Sequence, residues 1–181
     1  MEWKGFTVQC PLVLGGSVSE AEVLGASVWL WMHSARHKNA PLEALATMLL
    51  PAIKERQYVL AHQEGKPVFF MSWAWFDEDA EQRYLTRLPL PQENDWRCGN
   101  RMWAIDLVAP FGHTRQMINL VLSELFPEHC FRALWHRGRE RGKRVKHFRG
   151  YRVSRLALQD WQTAHPLCAD VQECGLPGGR E

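Results

Sequence analysis

The stretch from Gln57 to Phe76, QYVLAHQEGKPVFFMSWAWF, constrains the fold more than any other part of the chain. Its two apolar ends are strand-sized and rich in Val, Phe, Tyr and Trp, and the polar QEGK between them has the composition of a tight turn. Two antiparallel neighbours in a sheet follow. A third apolar run, MWAIDLVAPF (Met102–Phe111), reads as a buried central strand, and FRALWHR and VKHFRGYRV as two more, joined by the basic loop GRERGK. None of these runs approaches the length of a membrane span.

Helical periodicity fills the gaps between these strands. SVSEAEVLGASVWLWMHSA opens with a Ser-x-x-Glu box, Ser17 with Glu20, and repeats Val23, Leu24, Val28, Trp31 and Met32 at helical spacing. Pro41 suits the first turn of a second helix whose Leu42, Leu45, Leu49 and Ile53 form a stripe. DEDAEQRYL, HTRQMINLVLSELF and SRLALQDWQTAH read as further helices, PLPQENDWRCGNR as a loop, and GLPGGRE as a frayed end. Helices between strands predict one α/β domain with a mixed central sheet flanked by helices. At 181 residues, 46% apolar and 23% charged, the chain can bury such a core and is excluded from the disordered class. The five cysteines include no CxxC pair, and the first residues lack the pattern of a signal peptide. Both features point to free thiols in a reducing cytoplasm.

The net charge of +2 hides a concentrated basic stretch. Arg132, Arg137, Arg139, Arg141, Lys143, Arg144, Lys146, Arg149, Arg152 and Arg155 face a single acid, Glu140, over this segment. Nucleic acid, anionic lipid and an acidic protein all fit that charge.

Chemistry-bearing residues gather elsewhere, in WLWMHSARHKNAP (Trp29–Pro41). His33 and His37 stand four apart, which suits a zinc pair, but Ser34 replaces the Glu of the metalloprotease signature and no third ligand is apparent, so no metal is expected. His33 reads as a helix-end residue bonded to backbone, whereas His37 sits where the helix gives way and substrate can reach it. Asp106, inside an apolar strand, is expensive to bury without partners. It is either an ion-paired structural group or one half of a His–Asp pair, in which a carboxylate orients an imidazole base. A serine hydrolase using Ser34 or Ser72 lacks the G-x-S-x-G elbow, and no phosphate-binding G-x-x-x-x-G-K-[ST] loop is present.

Taken in order, these residues resemble the toxin-activating lysine acyltransferases that fatty-acylate RTX-type protoxins. The matching pattern is Trp29-Leu30-Trp31, Ser34, His37-Lys38, Pro41, LLPAI (Leu49–Ile53), QYVL (Gln57–Leu60), SWA (Ser72–Ala74), DW..G.R.W.ID..APFG (Asp95–Gly112) and RVKHFRG (Arg144–Gly150). It covers Leu24 to Gly150 without large gaps. Met48 departs from the family's Asn, Asn100 from its Asp, and Leu107 from its Trp.

The resemblance implies a fold like that of the GCN5-related N-acetyltransferases, commonly paired as a homodimer. It implies acyl–acyl carrier protein as co-substrate with no bound cofactor, and internal lysines of an RTX protoxin as acceptors. His37 and Asp106 fall on the catalytic positions. Trp31, Ser34, Ser72 and Trp73 become candidates for binding donor or substrate. Arg139, Arg141, Lys143 and Arg144 become candidates for docking charge, because the turn after the central strand holds only Gly112 and offers no evident pyrophosphate nest. A covalent acyl-histidine intermediate stays open beside direct transfer. On this reading residues 1–23 are an extension, 24–165 the acyltransferase domain and 166–181 a flexible tail. The rival class is a nucleic-acid-binding module that uses the 132–155 segment with Trp135 or Phe148 as stacking groups.

Overall fold

The computed structural model describes residues 1–86, 90–135 and 144–167, together with the backbone of 172–174. Its strands are β1 (Glu2–Trp3), β2 (Phe6–Gln9), β3 (Tyr58–Gln63), β4 (Lys66–Phe76), β5 (Arg101–Val108), β6 (Cys130–Leu134), β7 (Arg144–Arg149) and β8 (Gln172–Cys174). Its helices are α1 (Pro11–Leu14), α2 (Glu20–His33), α3 (Leu50–Lys54), α4 (Glu78–Thr86), α5 (Thr114–Leu120) and α6 (Arg155–Ala164). All eight strands form one sheet whose spatial order is the chain order. Pairing is antiparallel from β1 to β5 and between β6 and β7, and parallel at β5–β6 and β7–β8. The mixed α/β domain expected from the sequence, with a GCN5-related N-acetyltransferase-like sheet, is the one the chain adopts. No helix among the described residues is long and apolar enough to cross a membrane.

Strand alternation sends side chains to two faces, each with its own core. On one, Phe6, Val8, Val59, Phe69, Met71, Trp73 and Ala104 pack against Met117, Leu120 and Val121 from α5 and its continuation. On the other, Leu60, Phe70 and Val108 pack against Val23, Leu30 and Trp31 of α2 and Ile53 of α3. Ala74, Phe76 and Trp103 meet Ala80 and Tyr84 of α4 further along the same side.

Three elements differ from the sequence expectation. The first residues, assigned no structure above, form the hairpin β1–β2, turned by Lys4 and Gly5 at φ 47° and 83°. Glycine accommodates this left-handed turn without a Cβ penalty. The cap of α2 is Ser19, not Ser17: its hydroxyl accepts from the Glu22 amide at 3.4 Å and the helix begins at Glu20. The second helix starts later than Pro41, as a π-helical turn (Leu45–Leu49) that tightens into α3, and Leu42 is exposed. Pro51 explains the wide turn, because it has no N–H to return to residue 47 and its ring crowds that carbonyl.

Two irregularities in β5 prepare a site. The β4–β5 register shifts between Ser72 and Trp73, where Ser72 faces Asp106 but Trp73 faces Ala104, so Ile105 is the extra residue of a bulge. β5 also pairs with β6 only through Trp103–Arg132 and Ala104–Ala133. Beyond Ala104 the two strands diverge.

Candidate active site

α2 stops at His33 because Ser34 turns extended, at φ −92° and ψ 123°. The next residues fold back as a turn in which the His37 and Lys38 amides both bond the Ser34 carbonyl, at 3.0 and 2.9 Å. The two histidines therefore do not share a helix face. His33 is exposed and its Nδ1 bonds the Trp29 carbonyl at 2.8 Å. His37 is folded inward and buried, stacked on the Trp31 ring at a centroid distance of 4.7 Å.

Asp106 is 1% exposed, and the groups that meet it come from three places in the sequence. Its Oδ2 accepts from the Trp31 indole N–H at 3.0 Å, and its Oδ1 from the Leu107 amide at 3.0 Å. His37 Nε2 lies 3.1 Å from Oδ1, off the line of a well-aligned hydrogen bond. An Arg36 guanidinium nitrogen stands 3.9 Å from the same oxygen. Burial by itself would raise the Asp106 pKa, but pairing with His37, then the Arg36 charge and the Trp31 bond, outweigh it and hold the carboxyl below its ordinary range.

The other imidazole nitrogen is also engaged. His37 Nδ1 lies 2.9 Å from Ser34 Oγ. An ionised Asp106 can only accept, which puts the ring proton on Nε2 and leaves Nδ1 to accept from the Ser34 hydroxyl. Ser34 is half-buried, so the line Ser34–His37–Asp106 runs from the accessible side inward. The arrangement can take a proton at its outer end and balance the resulting imidazolium at its inner end.

A narrow slit of about 50 Å³ opens where β5 leaves β6. Arg36, Ile105 and Asp106 wall it toward α2, while Met71, Leu107 and Ile118 wall it toward α5. Residues from both sides of the sheet thus border it, and Asp106 of the His37–Asp106 pair is one of them.

Of the other candidates, Ser72 stands opposite Asp106 in register, so both side chains share a face. Its buried hydroxyl has no hydrogen-bond partner among the described residues. Trp73 is not brought to the cluster: it lies in the α5-side core, edge-on to Phe126. Arg144 opens β7, whereas Arg139, Arg141 and Lys143 lie outside the described residues. Arg36 was missed in the sequence. The available signal was a cation directly before His37, in a stretch that an extended Ser34 removes from the helix.

By its fold the chain falls in the class of GCN5-related N-acetyltransferase-like α/β proteins, with the His–Asp pair beside the diverging strands. A model of the RTX toxin acyltransferase family matches residues 17–149. The RTX-I toxin-activating lysine-acyltransferase ApxIC of Actinobacillus pleuropneumoniae is 37% identical over 145 residues, 80% of this chain and 84% of that protein. The protein-lysine myristoyltransferase RtxC of Kingella kingae is 34% identical, covering 77% and 83% of the two chains. The protein-lysine myristoyltransferase HlyC of Escherichia coli is also 34% identical, covering 83% and 89%. The chain belongs to the RTX toxin acyltransferase family.

Proposed function

We propose that this protein transfers a fatty-acyl group from acyl carrier protein to internal lysine ε-amines of an RTX-type protoxin, activating the toxin, and that it does so in the cytoplasm as a homodimer. The observation that carries this reading is the Ser34–His37–Asp106 line, whose Asp106 also lines the slit between β5 and β6. The acceptor chemistry follows that of the relatives, a toxin-activating lysine-acyltransferase and two protein-lysine myristoyltransferases.

A free lysine of pKa about 10.4 is neutral in only about one part in a few thousand at pH 7, so attack on a thioester needs a base. In this reading the donor's thioester carbonyl carbon is presented beside Ser34. The lysine ammonium first releases one proton to solvent; as the neutral nitrogen bonds to that carbon, a second proton passes to the Ser34 oxygen while the Ser34 proton passes to His37 Nδ1. Asp106 balances the imidazolium. The tetrahedral intermediate collapses by breaking the C–S bond, and the thiolate leaves with the proton that His37 returns. Arg36 adds positive charge to the slit wall where the oxyanion develops.

The 2.9 Å contact between Ser34 Oγ and His37 Nδ1 favours one second reading, in which Ser34 attacks first and an acyl-serine then passes its chain to lysine. The acyl-histidine alternative stays beside it, and would require His37 Nδ1 to exchange its Ser34 contact for the acyl carbon.

Intact and peptide mass spectrometry of an RTX protoxin co-expressed with this protein tests the function. Acyl adducts on lysines, absent without the enzyme, are the expected result, and an unmodified protoxin rejects it. Acyl adducts trapped on Ser34 in the absence of acceptor would select the second reading.

A further inference from the structure

The α5 side of the molecule carries a second concavity, a groove of about 490 Å³. Trp3 and Lys4 of the β1–β2 hairpin wall one part of it, Arg115, Ile118 and Asn119 of α5 the floor, and Tyr151 the rest. Its lining includes two cations and no acid. Neither Lys4 nor Arg115 has a carboxylate within ion-pairing distance among the described residues.

The groove is held in shape. Lys4 sits at the left-handed position of the hairpin turn, with its ammonium 4.9 Å over the Trp3 ring. The Tyr151 hydroxyl donates to Asn119 Oδ1 at 2.5 Å. The hairpin lies outside the 17–149 stretch that matches the family, so this wall belongs to the chain's own N-terminal residues.

Position gives the groove its meaning. Ile118 lines both the groove and the slit that leads to Asp106. A partner seated on α5 therefore lies beside the slit that Asp106 lines, with Ile118 between the two. The α2 side, where Ser34 is accessible, then stays open for the acceptor.

We propose that this groove is the docking surface for the acidic carrier protein that delivers the acyl thioester, an inference that rests on the donor reading given above. Two unpaired cations beside aromatic walls suit an acidic helix, whose carboxylates pair with Lys4 and Arg115 while its apolar side covers Trp3 and Tyr151. Nucleic acid is the less favoured occupant, since a duplex or strand requires a longer row of phosphate contacts than two cations provide.

The test compares an acyl carrier protein thioester with acyl-pantetheine bearing the same chain, using the full-length protein and a protoxin acceptor. In the double variant Lys4→Glu, Arg115→Glu, the ratio of kcat/KM for the carrier over acyl-pantetheine should fall about tenfold or more, the loss carried by KM. Reversal of the exposed Lys54 should leave the ratio unchanged. A carbodiimide cross-link between Lys4 and a carrier carboxylate, mapped by mass spectrometry, should form with the unmutated protein. An unchanged ratio, equal loss with both donors, a carrier cross-linked only elsewhere, or an oligonucleotide that displaces the carrier from the groove would each overturn the proposal. If the unmutated protein uses neither donor, it is the acylation reading that fails. The Lys4 cross-link then decides the docking surface alone: its presence upholds the surface and its absence overturns it.

Discussion

Asp106 shows how far a single residue can be read without coordinates. A carboxylate in an apolar strand announces a cost, and that cost requires partners. Their identity was not legible, because the indole of Trp31 and the ring of His37 come from about seventy positions earlier and meet Asp106 only through α2 packing on the sheet. The pairing makes two predictions. His37→Ala should lower acyl transfer by at least about 10²–10⁴-fold, the usual contribution of a general base, while His33→Ala keeps most activity. Equal losses in two folded variants, measured by lysine adduct formation, would reject the assignment. The second concerns stability. Asp106 has a folded-state pKa below its unfolded value, so the carboxylate form is the one that folding favours. That contribution is fully present above the unfolded value, about pH 4, and is lost as pH falls toward the folded pKa. The contribution of the Asp106 carboxylate to the stability gap between the unmutated protein and Asp106→Asn, from urea unfolding, should therefore shrink below pH 4. A gap that grows as pH falls below 4 would contradict the depressed pKa.

At the scale of elements, the strongest local signals were the reliable ones. The turn Glu64–Gly65 between β3 and β4, the buried strand β5 and the helix after it all lie where alternation and periodicity place them, since those patterns record burial directly. The failures have local causes. β1 and β2 are two and four residues long, too short for a period to declare itself, and only the buried Phe6 and Val8 around exposed Thr7 reveal the alternation. The delayed second helix follows from Pro51, whose effect falls on the preceding turn. The β5 bulge and the β5–β6 divergence have no sequence signature at all, because they are set by how neighbours pair. Gly150 offers a test at this scale. It ends β7 where the chain passes against the turn after α5, and a Cβ there would stand 2.2 Å from the carbonyl oxygens of Phe126 and Pro127. Both are backbone atoms, so neither can swing aside. Gly150→Ala should cost about 3 kcal/mol or more in urea unfolding, at the upper end for overpacking. A loss under about 0.5 kcal/mol would mean that the turn shifts freely.

The whole molecule is held across its layers by a buried charge cluster that takes no part in the proposed chemistry. Glu81 of α4 receives Arg101 of β5 at 2.5 Å, Arg132 of β6 at 2.6 Å and the Trp103 indole at 2.7 Å. Arg132 extends the link to His147 of β7 at 3.2 Å, to the His165 carbonyl past α6, and over the Trp161 ring at 4.7 Å. One carboxylate thus joins α4 to both sides of the parallel β5–β6 step, on strands that continue to the slit. Polar sequence around α4 disguises this, since DEDAEQRYL looks solvated throughout and only Glu81 among its acids is buried. Two guanidinium groups at 6% and 1% exposure depend on it. Removing the central carboxylate from a buried ionic cluster typically costs about 3–5 kcal/mol, far more than the pairing contributes over an apolar substitute. Glu81→Ala should accordingly lower the free energy of unfolding by about that amount, whereas Glu78→Ala, whose side chain is 75% exposed against Arg101, should change it by under about 1 kcal/mol. Because the cluster lies apart from His37, transfer by the folded fraction at low temperature should persist in Glu81→Ala. Loss of transfer with unfolding unchanged would instead make Glu81 part of the site.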